Sequence, residues 1–315
     1  MQDQSISLFR QNLYSLPTHD VECKVCCAPA RLFGVLDLNR ECSAISHPRG
    51  VAGVPVYYHQ CTDCGLLFTC TFDDAGPEDW SEYIYNDDYY KNVDTEYEEE
   101  RPRQSFELMS RICRKLLGSG QISGLDYGGG NGRLSHLLQQ RGFDYRTHDP
   151  YGKTDVDEAL GRKANVISAF EVLEHTTDPV KTFADMLRFA DDRVLIVAST
   201  QVSDGRLDAG LLNWDYIAPR SGHVTIYTRK CLELLARRYS LDYVPVTRGL
   251  HLMSRGISAE SVKNTALLTR ARQLLRAKLR LGVLGVAVTV TDRLERHDLM
   301  MPNELLACVE RLALV

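Results

Sequence analysis

Four cysteines, a glycine-dense loop and two histidines carry most of the chemistry this 315-residue chain could perform. The stretch "LDYGGGNG", Leu125 to Gly132, holds Gly128, Gly129, Gly130 and Gly132, with Asp126 two residues ahead of the first glycine. A loop that bare lets a ligand approach its backbone. A dinucleotide loop would read G-x-G-x-x-G, and a P-loop would follow its glycines with Lys-Ser/Thr. This chain has Gly128-x-Gly130-x-Gly132 and then Arg133-Leu134. The pairs "CKVC" (Cys23, Cys26) and "CTDCG" (Cys61, Cys64) are separated by 34 intervening residues. Four thiolates close a tetrahedral shell and leave no open position, so the metal they predict is a structural Zn2+. Gly65 relieves the tight turn after the second pair, and Cys27, Cys42, Cys70, His47 and His59 are substitute ligands in the same stretch. The alternatives are four unrelated thiols or two disulfides.

His175, in "VLEH", and His223, in "SGHVTIYT", are the candidate bases. A histidine beside a reacting hydroxyl can accept its proton near neutral pH. Trp214, Tyr216 and Arg220 precede His223, and an aromatic, an arginine and a histidine together suit a sugar or a phosphorylated acceptor. The structural alternatives are a His175 that orders its loop, a His223 that opens a strand, and a Trp214 in the core.

The elements that position these groups alternate between helix and strand from Gln104 onward. "SFELMSRICRKLLGSG" is an amphipathic helix closing at Gly118 to Gly120, and "ISGLDYG" is a strand running into the glycine turn. "RLSHLLQQRG" places Leu134, Leu137 and Leu138 at helical spacing and stops at Gly142. "FDYRTHD", "ANVISAF" and the continuously apolar "DRVLIVAST" are further strands, with a helix over "DPVKTFADMLRFA". Such runs predict an α/β fold with a parallel, doubly wound sheet covered on both faces.

Here the chain resembles the class I S-adenosylmethionine-dependent methyltransferases. Their first motif is an apolar strand, an acidic residue, then G-x-G-x-G opening a helix. The resemblance implies a Rossmann-like sheet and S-adenosylmethionine held by Asp126, Gly128, Gly129, Gly130 and Gly132. It also implies Asp149 on the ribose hydroxyls and, from the "FEVLEH" loop, Phe170 and Glu171 near the cofactor; Glu171 and Glu174 either contact the cofactor or hold the loop. Between Asp149 and Asn165 the family has a helix, a strand and an acidic loop against adenine. This chain has only "PYGKTDVDEALGRK", which leaves Asp155 or Asp157 for that contact. A cysteine-knuckle domain ahead of such a domain is similar to the sugar methyltransferases of deoxysugar and polysaccharide pathways, whose zinc domain ends in C-x-x-C-G-L, matched by "CTDCGL". That resemblance implies a small-molecule or glycan acceptor with a sugar hydroxyl.

The predicted domains are a zinc-ribbon-like domain over 1–72, an acidic tyrosine-rich connecting arm over 73–103, the methyltransferase domain over 104–254 and a helical C-terminal extension over 255–315. The arm, with five tyrosines and Trp80, is expected to pack between domains. Arg270, Arg272, Arg276, Lys278 and Arg280 read as the solvated face of a helix. The formal net charge is −5. An acidic balance, with an acidic arm beside the cysteines, argues against RNA. An RNA methyltransferase with a zinc finger, or a non-catalytic cofactor-binding scaffold, are the alternative functions. No basic segment followed by an apolar one opens the chain, and Leu281 to Val290 is too short to span a bilayer. A cytoplasmic protein is expected, with Leu281 to Val290 serving as core or as a homodimer contact.

Overall fold

The computed structural model describes residues 21–42, 50–87, 89, 91, 99–118, 120–150, 161–204 and 213–280, the last seven as backbone only. His47, Asp155, Asp157, the stretch 281–315 and the side chains of Arg276, Lys278 and Arg280 lie outside the described residues.

Two sheets share the work of positioning. The larger has six strands: β5 (Ser123–Tyr127), β6 (Asp144–His148), β7 (Ala164–Phe170), β8 (Ala190–Ser199), β10 (Asp242–Pro245) and β11 (Leu250–Arg255). Their order is β10-β11-β8-β7-β5-β6. β6, β5, β7 and β8 run parallel, whereas β11 is antiparallel to β8 and β10 antiparallel to β11. The sheet is therefore mixed, where the apolar runs predicted a parallel one. "LHLMSR" gives no alternating signal because His251 and Ser254 are buried in it along with its apolar residues.

Helices α2 (Glu100–Leu117), α3 (Arg133–Gln140), α4 (Pro179–Arg188), α5 (Arg229–Arg238) and α6 (Ala259–Arg280) follow the strands or flank them. α2 begins at Glu100, ahead of the predicted start, because Pro102 sits in its first turn, where no intrahelical N–H is required. α4 is capped by Asp178, whose Oδ1 accepts from the Lys181 N–H at 3.0 Å, with Pro179 following. α6 packs on α2, β10 and β11, and its Val262 and Ala266 are in the same core cluster as Met109 and Leu252.

The smaller sheet contains β1 (Val21–Glu22), β2 (Pro29–Asp37), β3 (Pro55–Cys61) and β4 (Leu67–Thr69), all antiparallel. Its fifth strand is β9 (Thr225–Ile226), which pairs with β4 and lies in sequence between β8 and β10 of the other sheet. The arm contributes α1 (Pro77–Tyr83). Trp80 stacks between Phe72 (5.5 Å between centroids) and Tyr85 (5.8 Å), in a cluster with Tyr58, Tyr216 and Ile217. Apolar burial of this kind ties the cysteine segment, the arm and the loop before β9 into one body.

Candidate active site

The glycine loop ends β5 and opens α3. Gly128 (φ +70°), Gly130 (φ +53°) and Gly132 (φ +76°) all adopt left-handed backbone, which disfavours a side chain. A Cβ on Gly128 would stand 2.6 Å from Val172 Cγ2, and one on Gly129 would stand 2.4 Å from Asp126 Oδ2. The Gly128 N–H donates to His148 O at 2.7 Å, and the Gly130 N–H donates to Asp149 Oδ2 at 2.8 Å. Asn131 Oδ1 accepts the Arg133 N–H at 3.0 Å just ahead of the helix. Asp126 is buried, accepts from Ser168 Oγ at 2.6 Å, and is pushed up to about 7 by that burial.

Asp126, Gly128, Gly129, Gly130, Asp149, Phe170 and Glu171 all line one open cavity of about 1930 Å³. Ordinary ligand sites are roughly 300–1,000 Å³, so this one has room for two molecules side by side. Gly132 caps α3 and does not line the cavity. Glu171 has φ +52°, strained for a residue with a side chain. Ser199 holds it there: Ser199 Oγ donates to Glu171 Oε1 at 2.6 Å and accepts from its N–H at 2.9 Å.

His175 and His223 meet in the same cavity, their rings 4.9 Å apart between centroids. β9 explains the meeting. The Val224 N–H donates to Glu174 O at 2.9 Å, Thr225 Oγ1 to Thr176 O at 2.6 Å, and Tyr227 Oη to Leu173 O at 3.0 Å. His223 Nδ1 donates to Tyr216 O at 2.7 Å, which leaves Nε2 as the lone-pair nitrogen. Burial pulls both histidines down from their ordinary value, His175 furthest, with His223 and Arg101 adding to the effect there. Glu174 is fully buried, which pushes its carboxyl well above the usual range, and its Oε1 accepts from Tyr216 Oη at 2.6 Å.

Three neighbours of this cluster were not expected at it from the sequence. Tyr85, from the arm, meets His175 edge-on at 5.9 Å. Cys42 Sγ lies 3.4 Å from His223 Nδ1, and burial pushes that thiol up to about 12. Tyr58, from β3, donates to His223 O at 2.7 Å. Arg220 does not face the cavity. It is buried, and its guanidinium donates to Ile84 O at 3.1 Å and to Asn86 Oδ1 at 3.5 Å. Trp214 stacks on Tyr216 at 5.1 Å, and Arg272, expected on a solvated face, lines the cavity.

The four cysteines come together as their spacing requires. Cys23 and Cys64 sulfurs are 3.5 Å apart, Cys26 and Cys61 sulfurs 3.4 Å, and all four lie within 4.8 Å of one another. Zn–S bonds of about 2.3 Å put tetrahedral sulfurs about 3.8 Å apart, so the set fits zinc with little adjustment. Backbone N–H groups of Asp63 and Cys64 donate to Cys61 Sγ at 3.4 and 3.3 Å, which outweighs burial and brings that thiol down to about 7. Cys27 is exposed at φ +59° in the first knuckle, where Gly65 at φ +74° serves the second. Cys42 is at His223, Cys70 lies near Lys24 and Asp73, and His59 is outside the cluster, so none of these replaces a ligand. A Cβ on Gly65 would be 2.9 Å from Thr228 Cγ2. That close approach lets Thr228 Oγ1 donate to Cys64 O at 2.5 Å while accepting the Cys231 N–H at 3.0 Å, joining the knuckle to α5.

Residues 97–246 match the family described as "Methyltransferase domain", 150 of the 315 residues. The match covers just under half of the chain, and over that segment the chain is similar to a methyltransferase domain. No curated protein matches it. Among solved structures it is similar to magnesium protoporphyrin IX methyltransferase (ChlM) from Synechocystis PCC 6803 with bound SAH, at 17% identity and TM-score 0.38, over 59% of this chain and 96% of that one. It is also similar to the plantazolicin methyltransferase BpumL in complex with SAH, at 12% identity and TM-score 0.40, over 57% and 93%. An O-methyltransferase family 2 protein from Planctomyces limnophilus DSM 3776, in complex with apigenin, aligns at 14% identity and TM-score 0.32, over 50% and 61%. Among the described residues, no helix is long and apolar enough to cross a membrane.

Proposed function

We propose that the protein transfers a methyl group from S-adenosylmethionine to a hydroxyl of a sugar, nucleotide-sugar or glycan. The observation that carries this reading is that one cavity is lined both by the glycine loop with Asp149 and by the His175–His223 pair. The backbone of Gly128 to Gly130 would cradle the cofactor, with Asp149 on its ribose and Phe170 and Glu171 beside it. When bound, the cofactor supplies a methyl carbon already activated on a sulfonium, so positioning and proton removal are what the protein must add.

Proton removal falls to His223 and His175. His223 is fixed in one tautomer by Tyr216 O, and burial holds both rings neutral, so each can accept a proton. Tyr85 gives a flat face for a sugar ring, and Arg272 and Lys181 put positive charge on the cavity wall. The four-cysteine centre holds zinc in this reading and braces β9, on which His223 depends. We place the protein in the cytoplasm, acting on a small molecule or glycan and not on nucleic acid.

The test is incubation of the protein with methyl-labelled S-adenosylmethionine and a fractionated host lysate. Label in a small-molecule or glycan fraction is expected. Label that disappears with ribonuclease would overturn the acceptor class.

A further inference from the structure

We propose that Glu174, His175 and His223 form a second metal site, for a divalent first-row transition-metal ion, separate from the four-cysteine centre. One ligand atom from each lies within 4.8 Å of the other two, and no such set besides this and the cysteines occurs among the described residues. Two histidines and a carboxylate are the donors of open catalytic metal sites, in which three protein ligands leave positions free for water or substrate.

An unpartnered polar atom points the same way. Glu174 Oε2 is buried without a donor, and His175 Nδ1 is buried with only the Gly222 backbone against it. Glu174 is 0% exposed, and a buried carboxylate oxygen with nothing to accept from is costly. His175 Nδ1 lies against Gly222, where a Cβ would come within 2.8 Å of it. A cation among the three residues would give the lone Glu174 oxygen its missing partner.

The surroundings supply what metal ligands need from their neighbours. A ligating histidine donates its other N–H to a carbonyl or carboxylate, and a ligating carboxylate is itself hydrogen-bonded. His223 Nδ1 donates to Tyr216 O at 2.7 Å, which frees Nε2. The hydroxyl of the same tyrosine donates to Glu174 Oε1 at 2.6 Å, which frees Oε2. Tyr216 is in turn fixed by the Gln201 N–H, which donates to its oxygen at 3.0 Å. One residue thus orients two of the three ligands. Bonds of about 2.0–2.2 Å hold ligand atoms roughly 3–4 Å apart, so small side-chain movements close the site.

His175 and His223 line the cavity while Glu174 stands behind them, so the ion's open positions face the acceptor space. Its role there, holding an acceptor oxygen, rests on the acceptor reading above, but the site itself does not. The base role assigned to the two imidazoles above applies to the metal-free protein.

Cobalt(II) titration of the chelator-stripped full-length protein tests this without an acceptor. Thiolate-bound cobalt gives intense sulfur-to-metal charge-transfer absorption, whereas nitrogen and oxygen ligands give only weak visible bands. The expected result is two equivalents bound, one of each kind. In Glu174→Gln and in His223→Ala the second equivalent is lost and the thiolate bands remain, which also shows that each variant is folded. A wild type that binds a single equivalent, with thiolate bands only and unchanged in both variants, would overturn the proposal and leave water as the occupant. Label transfer to RNA in the lysate experiment would overturn the acceptor class but leave this site standing.

Discussion

Replacing Gly128 by alanine separates the backbone requirement of the cofactor loop from simple crowding, provided Gly142→Ala is measured beside it. Both glycines have positive φ, +70° and +85°. Left-handed backbone costs an L-residue about 1–2 kcal/mol. A Cβ on Gly142 meets nothing within 4 Å, so that variant should lose this amount and no more. A Cβ on Gly128 lands 2.6 Å from Val172 Cγ2, and overpacking of this kind adds about 1–3 kcal/mol. Thermal unfolding should show the difference as a further drop of roughly 2–4 °C per kcal/mol. Val172→Ala in the Gly128→Ala background should recover the crowding part and leave the φ part. Ligand-induced stabilisation then reads the cofactor site. S-adenosylhomocysteine at 100 times its Kd adds about 2.7 kcal/mol, and a tenfold weaker complex at the same concentration adds only about 1.4 kcal/mol. Gly128→Ala should show the reduced increment, and Gly142→Ala the full one. The reasoning fails if the two variants unfold together and both keep the full increment.

Three further outcomes follow from the same structure. Thr228→Val removes the α5 cap and the bond to Cys64 O, and should cost about 1–2 kcal/mol in thermal or urea unfolding with zinc content unchanged. Tyr216→Phe leaves buried Glu174 without its donor and should lower stability by about 1–3 kcal/mol, together with the turnover rate. His251 donates through Nε2 to Thr200 O at 3.0 Å and accepts at Nδ1 from Tyr243 Oη at 2.9 Å, so its neutral form is satisfied, and burial takes it down to about 4. The unfolded chain binds the extra proton first, so this contribution is intact above pH 6.5 and falls away as pH drops toward 4; His251→Asn should flatten up to about 3 kcal/mol of that slope in urea melts.

Local signals in the sequence were strong where one element carried them. The strand, glycine loop and helix from Leu125 to Gln140 were legible because apolar spacing and glycine positions lie within a few residues of each other. Cys23, Cys26, Cys61 and Cys64 were legible because ligand spacing is short-range within each knuckle. His175 and His223 were legible singly, but their contact depends on β9 pairing with β4 and on Val224 bonding to Glu174. Two residues of strand leave no periodic pattern. Tyr85 and Cys42 reach the site from segments that read as arm and zinc domain, because burial against Tyr58, Trp80 and Ile217 folds those segments over it. Arg220 carried a charge that suggested substrate, yet the Ile84 carbonyl and Asn86 take it up.

The most direct measurement is methyl transfer from labelled S-adenosylmethionine to a panel of free sugars and nucleotide-diphosphate sugars, run with the wild type and with Asp149→Ala. Labelled product is expected from at least one sugar acceptor, with S-adenosylhomocysteine released in equal amount. Asp149→Ala should reduce the rate by tenfold or more, about 1.4 kcal/mol of lost stabilisation. An Asp149→Ala rate equal to wild type would contradict the cofactor site described here.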